Sequence, residues 1–169
     1  ARERIQGRLA TQSAGSEPIP IIHHADVRRM LLAQKAYVEG ALSLCLFGAS
    51  LLDDVNTHGD VNEAKKAHTL LDLLTPVIKA WCSEYGPKAN DLAIQVLGGA
   101  GYTREYPVEQ FWRDNRLNPI HEGTNGIQAL DLLGRKVWQE NSLGLQLLSK
   151  RMLEDINRAE GHSEKLLTW

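Results

Sequence analysis

The chain has 169 residues, enough for one domain with a full core. Its 43% apolar and 24% charged residues are ordinary for a soluble globular protein, and a net charge of -2 gives no reason to expect nucleic acid as the main partner, local basic patches aside. No apolar run is long enough to span a bilayer, and no secretory leader is expected. The chain starts at Ala1 and goes straight into Arg2-Glu3-Arg4, which reads as a piece of a longer protein.

Residues 1–20 lack a clear period and hold Gly7, Gly15, Pro18 and Pro20, so they read as a helix end followed by a loop. From about Asp26 apolar residues recur at steps of three and four: Val27, Met30, Leu31, Tyr37, Val38, Ala41, Leu44, Leu51 and Leu52. This predicts a long amphipathic helix to near Asn56, about 45 Å at 1.5 Å per residue. Thr57-His58-Gly59-Asp60 reads as a turn. Asn62 can cap a second helix to about Tyr85, kinked at Pro76. Gly86 is expected to stop it, and Pro87 to open a shorter helix over 88–97. The Gly98-Gly99 pair ends that helix, and 98–107 reads as a loop. A short helix is expected over Val108–Arg116, then a break at Asn118-Pro119. Thr124 or Asn125 caps another helix to about Glu140, and a last helix covers roughly Ser142–Arg158. No segment alternates with a period of two. The expected fold is therefore all-α: an up-and-down bundle of about four principal helices with short additional ones. Cys45 and Cys82 have no metal-like spacing and are expected to be buried thiols.

Two places carry chemistry. Leu97-Gly98-Gly99-Ala100-Gly101-Tyr102 is a glycine turn that exposes backbone, although such a turn at a helix end is more often only a C-cap. No strand precedes it, so it is not a dinucleotide fingerprint. Gln95, three residues earlier, can reach a polar ligand. In Ile120-His121-Glu122-Gly123-Thr124-Asn125 one carboxylate stands directly before a helix. A lone Glu on a loop is more often solvated than catalytic. Here Gly123 permits close approach, and the helix N-terminus offers free N–H groups. Two effects compete at Glu122: the helix dipole lowers its pKa and burial under an apolar substrate raises it. Only if burial wins is it poised as a base near neutral pH. Arg4, Arg104, Arg113 and Arg116 are candidate phosphate ligands, with Glu109 and Asp114 near enough in sequence to pair with arginine instead. His23, His24 and His121 do not form a metal set.

Together these motifs resemble the C-terminal α-helical domain of flavin-dependent acyl-CoA dehydrogenases. The resemblance rests on Glu3-Arg4-Ile5-Gln6, Gln95 to Tyr102, Glu105-Tyr106-Pro107-Val108-Glu109 with Arg113-Asp114, and Ile120 to Thr124. Each piece is weak alone; their order and spacing fit over roughly residues 1–140. The run from His121 to Lys136 resembles a bacterial subgroup with an extra C-terminal region, which includes the 3-methylmercaptopropionyl-CoA dehydrogenases. The resemblance thus divides the chain into a bundle at 1–140 and, at 141–169, the last helix and the start of an extension.

The resemblance implies that Glu122 removes the α-proton of an acyl-CoA while the β-hydrogen passes to FAD as hydride, giving a trans-2-enoyl-CoA. Arg4 and Gln6 match FAD-contacting positions, typically of a neighbouring subunit. Gln95, Gly98 and Gly99 match the turn that holds the FAD diphosphate or ADP part across a dimer interface. Thr124 matches a residue near the FAD diphosphate of the subunit's own site. Implied partners are the acyl-CoA, an electron-transfer flavoprotein and further copies in a homodimer or homotetramer, in the bacterial cytoplasm. The chain departs from the commoner pattern at Gly7 (often aromatic), His121 (often Tyr) and Gly126 (often Gln). The 169-residue piece alone is expected to fold but not to catalyse, with Glu122 facing solvent or a neighbour. Other readings are an acyl-CoA oxidase-like relative, a DNA-binding flavoprotein-like module, and a helical oligomerisation module. The DNA-binding reading needs a basic C-terminal surface, and the charges from Lys150 to Lys165 balance.

Overall fold

A computed structural model describes residues 1–121 and 124–160. Among these it contains no strand, and five α-helices carry the fold: α1 (Ala25–Thr57), α2 (Val61–Leu97), α3 (Val108–Asn115), α4 (Asn125–Gly134) and α5 (Leu143–Glu160). The all-α bundle expected from the periodicity is the observed class. No described helix is long and apolar enough to cross a membrane.

The chain divides into two compact units. One comprises Ala1–Ser43 and Ala80–Thr124; the other comprises Leu44–Lys79 and the described part of Asn125–Trp169. The second unit holds the apolar core of Leu51, Ala67, Leu70 and Leu74, with Phe47, Val55, Leu71, Ile78 and Leu148 packed against it. A turn at His58–Asp60 folds α2 back along α1, and Asp60 Oδ1 accepts from the Asn62 N–H at 2.8 Å. Asp60, rather than Asn62, therefore supplies a side chain to the orphan amides of the first turn.

Four expectations change. Residues 1–20 are not a helix end: they form an extended, hairpin-like arm. Gln6 N–H donates to Ile19 O and Ile19 N–H to Gly7 O, both at 3.0 Å, and Ile5 and Pro20 form an antiparallel bridge. Gly7 has φ +74. Second, α2 is one helix of 37 residues that runs through Pro76, Gly86 and Pro87. Local propensity loses to packing here. Pro76 is fully buried, Pro87 and Ala89 are also buried, and Asn90 is tied to Asn115.

Third, α4 ends at Gly134 rather than near Glu140. Arg135 leaves helical space (φ -135, ψ -66), and the Trp138 indole N–H donates to Leu133 O at 2.7 Å, satisfying a carbonyl the ending helix exposes. After a 3-10 turn, Glu140, Asn141 and Ser142 have φ 47, 55 and 62, re-aiming the chain into α5. Fourth, Cys45 is exposed and Cys82 only half-buried. Cys45 lies among other exposed α1 residues, Val38, Leu42, Leu46 and Leu52. The helical spacing there marks an apolar face that stays exposed among the described residues.

Candidate functional site

The first unit brings together residues 93 positions apart. Arg4 Nη1 donates to Leu97 O at 2.6 Å, capping the end of α2. The next residue, Gly98, has φ +63, a conformation that costs an L-residue about 1 kcal/mol or more. A Cβ built there would come within 3.8 Å of the Arg4 guanidinium. Gly98, Gly99 and Gln95 are exposed, and nothing lies within 4 Å of a Cβ at Gly99. The turn thus presents open backbone with a fixed guanidinium beside it. That donor set suits an anionic, phosphate-bearing group. The turn itself is a 3-10 segment, Gly98–Tyr102, where a plain loop was expected. It closes with Thr103 Oγ1 donating to Ala100 O at 2.8 Å.

Gln6 is placed on the same arm as Arg4 by its backbone. Its N–H pairs with Ile19 O, and its carbonyl lies 2.7 Å from His24 Nε2. The Gln6 side chain is exposed.

A second group of residues surrounds the segment that leads to Glu122. Glu84, Pro87, Lys88 and Asp91 of α2, Trp112 and Arg116 at α3, and Ile120 and Thr124 line an open cleft. Lys88 pairs with Glu84 at 2.7 Å. That hydrogen bond holds the Lys88 ammonium above the ordinary lysine pKa. Among the described residues Arg116 has no side-chain partner. Arg113, also weighed as a phosphate ligand, instead pairs with Glu109. Thr124 is exposed at the start of α4. Glu122, the predicted base, lies outside the described residues, so both its place and its expected exposure stand as expectations.

Sequence reasoning missed a set of amides here. Asn90 on α2, Asn115 at the end of α3 and Asn118 beyond it are linked side chain to side chain. Their only signal was the density of asparagine around Asn118-Pro119, which marked a turn. It also missed the ion pair of the largely buried Lys136 with Asp72 in the second unit. On α5 both Arg151 and Arg158 reach Asp155, at 3.4 and 3.5 Å.

Residues 8–137 match the family model described as acyl-CoA dehydrogenase, C-terminal domain. The chain is 40% identical over 165 residues to 3-methylmercaptopropionyl-CoA dehydrogenase of Ruegeria pomeroyi, covering 98% of this chain and 27% of that protein. It is 36% identical over 167 residues to the broad-specificity linear acyl-CoA dehydrogenase FadE5 of Mycobacterium tuberculosis, covering 96% and 27%. The chain thus spans about a quarter of the length of these relatives. Among solved structures, the apo form of Bd2924 aligns with a TM-score of 0.69 at 25% identity, over 94% of this chain and 30% of that one.

Proposed function

Since this chain belongs to the acyl-CoA dehydrogenases through their C-terminal domain, we propose that the protein carrying it oxidises an acyl-CoA to a trans-2-enoyl-CoA. The observation that supports this best is the Arg4–Leu97–Gly98 contact, an anion-ready turn built from two of the motifs that carry the resemblance. Arg4, Gln6, Gln95, Gly98 and Gly99 would hold the phosphate-bearing part of FAD. Thr124, at the N-terminus of α4, would hold a phosphate of the subunit's own cofactor. FAD, when bound, supplies the oxidant that takes the β-hydrogen.

Glu122 is the base. Its carboxylate takes the α-proton of the acyl-CoA. Burial under the acyl chain is the condition under which a carboxylate serves as a base near neutral pH. The rest of the protein, outside this chain, supplies that burial, so the piece alone binds no complete site.

Residues 1–140 form the bundle of the family, and 141–169 the last helix with the start of a C-terminal extension. Assembly into a homodimer or homotetramer is supported by the large exposed side chains of Leu42, Leu46, Leu130 and Leu133. An electron-transfer flavoprotein is the electron acceptor, in the bacterial cytoplasm.

The test is Glu122→Gln in the full-length protein. Its flavin absorbance should persist while bleaching by acyl-CoA slows by about 100-fold or more. Bleaching at the normal rate would sink the base assignment.

A further inference from the structure

Resting on the reading of Glu122 as the base, we infer that Asn115 is a positioning residue that anchors the base-bearing segment to α2. Asn115 Nδ2 donates to Asn90 Oδ1 at 2.8 Å. Asn118 Nδ2 donates to Asn115 Oδ1 at 2.5 Å. The backbone repeats the second link, with Asn118 N–H donating to Asn115 O at 3.1 Å. Asn115 therefore uses both ends of its amide. One end grips α2, and the other grips the segment that runs on through Pro119, Ile120 and His121.

The seat for this amide is built into α2. A Cβ at Gly86 would lie 2.8 Å from Asn115 Nδ2 and 3.2 Å from Oδ1. A side chain there would push Asn115 off its partner. Gly86 is thus kept inside a long helix, where glycine is otherwise unfavourable, because the amide sits against its backbone. Asn90 and Asn115 are half-buried, so water competes less for these bonds than on an open turn. Beyond the anchor the segment stays hydrogen-bonded. Leu117 O accepts from Ile120 N–H at 2.9 Å and from His121 N–H at 3.4 Å. His121 is the residue before the base. The described hydrogen bonds thus run from α2 through Asn115 and Asn118, and from Leu117 on to His121.

Proton abstraction depends steeply on the placement of the base, and a shift of about 1 Å can cost on the order of 100-fold. Asn115 acts through Glu122 and not on the substrate. Its loss should slow the chemical step while leaving cofactor and substrate binding intact.

The experiment uses the full-length flavoprotein with Asn115→Ala and, separately, Gly86→Ala. Four quantities are read: FAD per protein, KM for the acyl-CoA, the rate of flavin reduction at saturating substrate, and its α-deuterium isotope effect. The expected result is unchanged FAD content and KM, a rate lower by about ten- to a hundredfold, and a larger isotope effect in both variants. In a Glu122→Gln background, Asn115→Ala should cause no further loss, because the two act as one unit. If Asn115→Ala lowers only the melting temperature, or adds its whole effect to that of Glu122→Gln, Asn115 merely ends α3 and the inference is wrong. Should Asn115→Ala lose FAD, Asn118→Ala carries the test under the same criteria, since it cuts only the exposed end of the chain. A normal rate in Glu122→Gln overturns the base assignment and this inference with it. A normal rate in Asn115→Ala beside an inactive Glu122→Gln overturns the positioning role alone.

Discussion

The two units are held together by different physics. The second is an apolar core: Leu51, Ala67, Leu70 and Leu74 interlock, and Leu73 is only 2% exposed. Its buried charged residue among those described, Lys136, is matched by Asp72. The first unit has fewer buried apolar residues and relies more on directional bonds. Its arm is pinned by backbone pairs to Ile19 and Ile21, its turn by Arg4, and its α3 by the asparagine amides. Apolar packing is tolerant of direction and suits a scaffold. Hydrogen bonds fix orientation, and they are found in the unit that carries every described residue of the candidate site.

Perturbations of each unit sharpen the contrast. The largest effect is expected from Leu73→Ala, which removes a buried side chain at the core of the second unit. It should cost about 2–5 kcal/mol, read from the chemical denaturation midpoint. A loss under about 1 kcal/mol would show that this core is loosely packed.

Next comes Asp72→Ala, which leaves the Lys136 ammonium without its partner at 8% exposure. Because Asp72 itself is 34% exposed, the cost is discounted to about 1–3 kcal/mol. Adding Lys136→Met should restore most of it. No recovery in the double variant would mean that packing, and not the stranded charge, carries the loss.

The smallest effect belongs to the first unit. The hydrogen bond from Lys88 to Glu84 raises the Lys88 pKa above 10.5. A raised lysine stabilises the folded state most below its unfolded pKa, and that contribution disappears as pH rises through the folded value. Lys88→Met should therefore differ slightly from the parent in melting temperature near neutrality and converge with it in strong alkali. A gap that grows with pH would contradict the sign. Both side chains are well exposed, so only a small difference is expected.

The legible parts of the molecule were those with a repeating cause. The apolar period of α1 set that helix within a residue at each end. Where a local signal met a tertiary partner, the local reading failed. Gly86-Pro87 reads as a helix stop until Asn115 and the buried Pro87 are placed against it. The run to Glu140 reads as one helix until Trp138 turns back onto Leu133. For the site, the glycine turn was visible as a motif. Its contact with Arg4, across 93 positions, was not.

By itself, then, the sequence determined the helical class, the long first helix, the glycine turn and the family, because these depend on local period and on motif order. The tertiary structure decided that α2 runs unbroken, that residues 1–20 form an extended arm, and that Arg4 caps the Gly98 turn. It also decided that three asparagines join α2 to the approach to Glu122. Each of these depends on a hydrogen bond or a buried contact between residues distant in the chain. Whether such a partner is present changes the sign of the local preference, and no window of neighbouring residues contains it.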